Sequence, residues 1–547
     1  MKNSYTTINN RKTSQMSPVI GKNQVQNNAG GYVFALDEWK RLQRFLILGS
    51  DSSTYYVSAH ELTKDNANVV AECIQKDSKR TVDVIVEISD SGRAIKNDPA
   101  IFALAMVVGT ADEEGRKYAL ANLDKVCRIG THLFHFAQYV EQFRGWGAGL
   151  RKAVSRWYTE KPVDKLQLQL VKYRQRDGWS HRDLLRLAHP KTKDKTLNAA
   201  LKWAVAKEGV ENIDSYESIL PLIWAYEQVG RETNDKRIIK LITEYRLPME
   251  AVASEKQSKA VLEALLPNMG LTGIIRNLGS YTSKDILTQT SDATSFVIDK
   301  LLSAEGIKKA RVHPITLLAA LMTYNQGHGL RGNLTWSPVG RIVDALDSGF
   351  YLAFENVIPT LMRFFLGLDV SGSMGTSMLS TIPNLSARDA SAALAMVTMA
   401  VEKKWSIYGF TSGRSSSFGY SYGQSDAITP LKLSPKMRLT EVIDTIKGLD
   451  FGRTDCALPM LEATAKKIPV DAFVIYTDSE TWSGNIHPFQ ALKQYRQTMG
   501  IPAKLIVVGM TSTEFTIADP SDAGMFDVVG FDTNTPQAIS DFAAGKF

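Results

Sequence analysis

FFLGLDVSGSMG, residues 364–375, decides how the rest of the chain is read. Phe364, Phe365, Leu366 and Leu368 form a short apolar block that closes on Asp369 and a glycine-containing loop, the pattern of a buried strand entering a turn. In sheets of alternating strands and helices, functional groups gather at the carboxyl ends of strands. In an extended loop, side chains at i, i+2 and i+4 point the same way, so Asp369, Ser371 and Ser373 present one carboxylate and two hydroxyls to a common point. Hard oxygen ligands suit Mg²⁺ or Mn²⁺. Taken alone, the same residues are also ordinary turn formers or helix caps.

Two downstream loops add to the set. DAFVIYTD (471–478) is a β-branched and aromatic run ending in Asp478, and FGRTD (451–455) offers Thr454 and Asp455. This three-part pattern resembles the metal-ion-dependent adhesion site of von Willebrand factor A domains. The resemblance implies that Asp369, Ser371, Ser373 and Thr454 hold a divalent cation, expected to be Mg²⁺, with Asp478 close by. Arg453 stands where that pattern has glycine before the threonine.

The chain of 547 residues exceeds what one core usually organises, so two or three domains are expected. Cys73, Cys127 and Cys456 are widely spaced and odd in number, against a disulfide framework or zinc site. No apolar stretch reaches membrane-spanning length and no signal core opens the chain, so a soluble, cytoplasmic protein is expected. Strands and helices alternate after residue 360: FFLGLDV, a helix over 386–404, WSIYGFT, a helix over 436–449, DAFVIYTD, a helix from residue 487, and AKLIVVGM. That alternation predicts a doubly wound, parallel, Rossmann-like α/β domain over 361–547. Before it, apolar spacing near 3.6 recurs in 36–47, 68–77, 98–111, 115–126 and 131–143, and continues to about residue 326. The expectation there is an all-α array of HEAT-like repeats over 29–360. Residues 1–28, rich in Asn, Ser, Thr and Gln, read as disordered, and the Gly/Ser/Tyr stretch 411–426 as an exposed loop.

The net charge of +7 is unevenly distributed. Residues 362–547 carry 16 Lys and Arg against 18 Asp and Glu, so the excess belongs to the front of the chain. Residues 144–202 alone hold 15 against 5. There Lys and Arg interleave with Trp157, Tyr158, Tyr173 and Trp179, with His181 and His189 nearby. Cations neutralise phosphates while rings and guanidinium planes stack on bases, the combination used to bind RNA. A solvated helix face over buried aromatics explains any single lysine here, but the imbalance of the whole segment favours nucleic acid. A second stretch, 308–336, repeats the mixture with Lys308, Lys309, Arg311, His328 and Arg331, and a plain linker turn explains it equally well. Its GHGLRG lacks phosphate-loop spacing.

The stretches GGYVFALDEWKRLQRFLILGSDSSTYY, CRIGTHLFHF, LRKAVSRWY, KYRQRDGWSHRDLLRLAHPK, IRNLG, KKARVHP, GHGLRG, TDCALPM and IPAKLIVVGMTSTEFTIADP run in order from about residue 29 to the end. Together they resemble the Ro autoantigen family, in which a TROVE domain is joined to a von Willebrand A domain, and the compact chain suits a bacterial member. The resemblance implies a closed ring of helical repeats whose ends the A domain joins. It further implies that small structured Y RNAs bind outside through Lys172, Arg174, Arg176, His181, Arg182, Arg186 and His189. Single-stranded 3′ ends of misfolded non-coding RNAs would enter the hole, in RNA quality control. A monomer is expected, with an exoribonuclease tethered through the RNA as a further partner. No enzyme is expected: nucleases usually place two ions about 4 Å apart on several acids, and no nucleophile elbow is present. A metal-dependent nuclease and a protein-adhesion scaffold are the alternatives.

Overall fold

The computed structural model describes residues 12–48, 59–206, 212–329, 332–354, 357–376, 385–412, 427–449 and 452–546. Most of the 411–426 loop and Arg331 lie outside the described residues. Among those described, no helix is long and apolar enough to cross a membrane.

The front of the chain is helical, as its periodicity predicts. The helix Ser78–Ser91 shows the local logic: Asp77 caps its first turn by accepting from Arg80 N, and Gly92 ends it at φ 72°. The helices pack on one another both in sequence and across intervening elements. Asp98–Thr110 lies against Gly130–Phe143 so closely that a Cβ on Gly109 would overlap Phe143. The stretch expected as one helix over 115–126 is two, Glu113–Ala121 and Leu123–Val126, broken at Asn122, whose side chain donates back to Tyr118 O at 2.9 Å.

The array returns on itself. Arg311, beyond the helix Ala304–Lys309, donates to Asp90 of Ser78–Ser91 at 2.7 Å, and the Arg311 stem packs over Gly92. The α/β domain meets both ends. Arg93 grips Asp532 at 2.6–3.1 Å, and Leu439 N donates to Asp347 of the helix Gly340–Leu352 at 2.8 Å.

Eleven strands are described. The first two are β1 (Gln24–Gln26) and β2 (Tyr32–Ala35), and β3 (Gln175–Arg176) and β4 (Trp179–Ser180) form a hairpin within the helical region. The α/β domain carries β5 (Arg363–Asp369), β6 (Lys404–Phe410), β7 (Ile428–Pro430), β8 (Ala472–Thr477), β9 (Lys504–Gly509), β10 (Phe515–Thr516) and β11 (Met525–Val529). Its main sheet has the order β11-β9-β8-β5-β6-β7. All pairs are parallel except β6 with the edge strand β7, so the sheet is mixed where a purely parallel one was expected. β5 lies between β8 and β6, and its continuous apolar run is buried, as a strand covered on both faces requires. Asp369 and Asp478 thereby arrive at the same sheet end, at the carboxyl termini of adjacent strands.

Residues 12–28 correct the expectation of disorder. β1 pairs with β2, and β2 pairs with β10 of the α/β domain, Phe515 opposite Ala35. Polar composition misleads here because the segment's amides are satisfied by a partner more than 450 residues away.

Candidate nucleic-acid interface and cation site

The basic segment is built on a tight hairpin. Asp177 and Gly178, at φ 53° and 79°, join β3 to β4, the left-handed pair that Asp-Gly supplies in two-residue turns. Asp177 holds His135 Nδ1, and the Trp179 ring sits 5.7 Å from Trp146 while its Nε1 donates to Gln138 at 3.3 Å. These contacts pin the hairpin and leave Arg174 and Arg176 exposed on it.

The next helix, His181–Ala188, starts from a capping box in which Ser180 and Asp183 exchange hydrogen bonds. Its outer face carries Arg186, exposed, and Arg182, half-buried with an Nε that has no hydrogen-bond partner. His189 ends it, exposed, at φ 47°. Lys172 lies 5.4 Å from the Tyr173 ring and Arg174 lies 5.2 Å from that of Tyr226. Among the described residues none of Lys172, Arg174, Arg182 and Arg186 stands in an ion pair, whereas Arg176 has Asp177 at 3.6 Å. A cleft of about 740 Å³ opens beside Arg174 and Arg182, lined further by Trp203, Tyr226 and Lys256 and by the acids Glu227, Glu250 and Glu255, while Lys172, Arg176 and Arg186 lie outside its lining. Trp203 and Tyr226 lie beyond the charged segment, and nothing in their local sequence marks them.

His181 backs the wall of this cleft but is not one of its exposed groups. It is 4 % exposed, bonded to Tyr158 Oη at 2.8 Å and close to Gln169 O, with the Phe134 ring 4.8 Å away. Burial pulls its pKa down to about 4, so it is a neutral core residue. Trp157 and Tyr158 are buried beside it, and only Tyr173 and Trp179 of the four interleaved aromatics reach the surface. The inward turn of the helix takes His181 to the core, while the same helix carries Arg186 outward.

The second basic stretch serves mainly the seam. Arg311 is committed to Asp90, and the buried His313 faces Phe531 O. Lys308, Lys309 and His328 are exposed, but neither they nor Arg311 lines the cleft.

At the sheet end, Asp369 Oδ1 accepts from Ser371 N at 3.0 Å and Oδ2 from Thr477 Oγ1 at 2.7 Å. Ser371 Oγ and Ser373 Oγ are 3.2 Å apart. Asp478 Oδ1 accepts from Glu480 N at 3.0 Å, and its Oδ2 is buried with no hydrogen-bond partner. Thr454 is buried, its carbonyl accepting from Trp482 N and Ser483 N at 3.2 and 3.1 Å. Burial raises the pKa of both carboxyls, and for Asp369 the neighbouring Asp478 raises it further. Arg453 turns outward over the Trp482 ring at 4.9 Å. Two buried carboxyls, an orphaned oxygen and a ring of hydroxyls form a donor set that fits a hard divalent cation. Asp455 instead orients its own loop, Oδ1 accepting from Ala457 N at 3.0 Å and from Gln15 Nε2 at 2.7 Å. Among the described residues no group of three or more His, Cys, Asp or Glu could hold a metal, so a cation here depends on the hydroxyls.

Residues 25–323 match the family model of the TROVE domain, and residues 363–543 that of the Ro60 vWA domain. The RNA-binding protein RO60 of Deinococcus radiodurans is 40% identical over 549 residues, covering 100% of both chains. The RNA-binding protein RO60 of Caenorhabditis elegans is 35% identical over 599 residues, covering 96% of this chain and 90% of its own. The crystal structure of the Deinococcus radiodurans RO (RSR) protein superimposes with a TM-score of 0.69 at 40% identity, covering 93% of this chain and 100% of that one.

Proposed function

The chain belongs to the Ro family of TROVE and vWA proteins, and from that premise we propose that it binds RNA without chemically altering it. The observation that carries the reading is the group of unpaired cations Lys172, Arg174, Arg182 and Arg186 within one short segment, of which Arg174 and Arg182 line a cleft shared with the rings of Trp203 and Tyr226. Cations without acid partners are free to replace counterions on phosphates, and the rings of Trp203 and Tyr226 offer faces for stacking. The ligand on this outer surface is a small structured RNA of Y type. Single-stranded 3′ ends of misfolded RNAs bind separately, within the closed helical array, in RNA quality control. Supporting this are two relatives named RNA-binding proteins and the closure of the array between Asp90 and Arg311. The protein acts in the cytoplasm as a monomer, with an exoribonuclease held through the RNA.

Asp369, Ser371, Ser373 and Thr454, with Asp478 alongside, would hold a divalent cation, Mg²⁺. When bound it supplies a Lewis-acidic anchor for an acidic group; the chain's own residues fix the loops and exclude water from the carboxylates.

The test of RNA binding changes Lys172, Arg174 and Arg186 together to Glu. Binding of a hairpin RNA should weaken by well over tenfold, with a shallower salt dependence, because each lost phosphate contact removes about 0.7–0.9 from the log–log slope. An RNA with a free 3′ tail should lose less. Small, equal effects on both RNAs would show that the segment is only a solvated face.

A further inference from the structure

We propose that Gln15 is a positioning residue for the cation site, tying the loop of Thr454 to the loop that begins at Asp478; this rests on the cation reading above.

Gln15 lies in a segment whose composition suggests no structure, yet it is completely buried. Its backbone is held on both sides: Gln15 N donates to Gly484 O at 3.0 Å, and Tyr32 N donates to Gln15 O at 2.8 Å. Its amide is then used in full. Nε2 donates to Asp455 Oδ1 at 2.7 Å and to Ile486 O at 2.9 Å, while Oε1 accepts from Thr481 Oγ1 at 2.5 Å. Thr481 Oγ1 in turn accepts from Cys456 N at 3.0 Å. One side chain therefore bridges residues 455–456 and 481–486, the two loops that must approach each other for Thr454 and Asp478 to face one cation.

The same segment continues along the second loop. Asn27 Nδ2 donates to Ser479 O at 3.2 Å and Thr481 O at 2.9 Å, and Asn28 Nδ2 donates to Glu480 Oε1 at 2.8 Å. Gly31 passes so close to Thr481 O that any Cβ would overlap it. The three residues after Asp478 are thus held by groups from the far end of the sequence. A buried amide is costly to desolvate and is retained where its directional bonds are needed, since an apolar residue fills space more cheaply. The groups around Asp478 are hydrogen-bonded through this segment while Asp478 Oδ2 itself is left free. That is the division of labour in which outer groups orient and inner oxygens ligate.

The experiment is calorimetric titration of the full chain with Mg²⁺, for wild type, Gln15→Ala, Lys22→Ala and Asp369→Ala. Lys22 anchors the other end of the segment on Asp519 and Ser521 without touching Asp455, so it controls for general loosening. Gln15→Ala should weaken Mg²⁺ binding by about tenfold or more, and Lys22→Ala by less than twofold. Thr481→Val, which removes the hydroxyl that Gln15 Oε1 accepts from, should weaken binding several-fold and carries the test if Gln15→Ala does not fold. If wild type takes up no Mg²⁺, the cation reading fails and this inference with it. If wild type binds, Asp369→Ala does not, and Gln15→Ala and Thr481→Val bind like wild type, the cation reading stands and the positioning role is refuted. Equal losses in Gln15→Ala and Lys22→Ala would also refute it.

Discussion

Arg44 of the helix Glu38–Leu48 and Asp527 of β11 form a buried ion pair across 483 residues, Nη2 lying 2.8 and 3.0 Å from the two carboxylate oxygens. Arg44 is 1 % exposed, and its Nη1 also donates to Thr513 O and Phe515 O, so the guanidinium plugs the end of the α/β domain. The pair does more to orient the two parts than to hold them by attraction, because desolvation offsets much of the Coulomb gain.

Removing one partner leaves an uncompensated buried charge. Arg44→Ala is therefore expected to destabilise the protein by about 3–5 kcal/mol, read by urea unfolding, whereas Arg44→Met combined with Asp527→Leu should regain most of the loss. A single variant within 0.5 kcal/mol of wild type would contradict this account.

His181 and His189 should separate cleanly. His181→Ala strands Tyr158 Oη and should cost about 2 kcal/mol of stability. His189→Asn, which keeps a residue tolerant of φ 47°, should leave stability unchanged and weaken RNA binding. Filter binding and thermal melts on both variants decide; loss of RNA affinity in folded His181→Ala matching that of His189→Asn would return His181 to the interface.

The pH dependence has opposite signs at the two sites. His181 titrates near 6.5 when unfolded and about 4 when folded, so its contribution is complete above pH 6.5 and is lost as the pH falls toward 4. Between pH 7.5 and 5 wild type should lose about 2 kcal/mol that His181→Ala does not. Asp369 and Asp478 are raised instead, so without cation they favour the fold at low pH and disfavour it as pH rises. Mg²⁺ must displace their protons, and its affinity should fall on acidification from pH 8 to 6, with proton release measurable by calorimetry in buffers of different ionisation enthalpy.

Gly178 tests the hairpin by itself. At φ 79° with open space around its Cα, Gly178→Ala meets only backbone strain, about 1–2 kcal/mol. Weaker binding of hairpin RNA with little change in melting temperature is expected; unaltered binding would mean that Arg174 and Arg176 need no fixed presentation.

Where information is local, the sequence alone sufficed. The apolar run ending at Asp369 depends only on strand geometry, but the extended loop expected after it is a turn leading into the short helix Gly372–Thr376, so Ser371 and Ser373 meet beside Asp369 by way of that turn and not by strand alternation. The helical array follows from a 3.6-residue period. The concentration of positive charge between residues 144 and 202 needed only counting. Tertiary structure decided what those patterns leave open. A period shows which face of a helix is apolar but not where a polar residue at its first turn will point, so His181 and Arg186, five residues apart, part to core and surface. The short strands β1, β2 and β10 carry too few residues for a visible alternation, and exist because each finds hydrogen-bond partners in another part of the chain. Gln15 on Asp455 and Arg44 on Asp527 are separated by 440 and 483 residues, and no local pattern can announce such pairs. The dry surroundings in which their hydrogen bonds are strong exist only once the whole chain has closed around them.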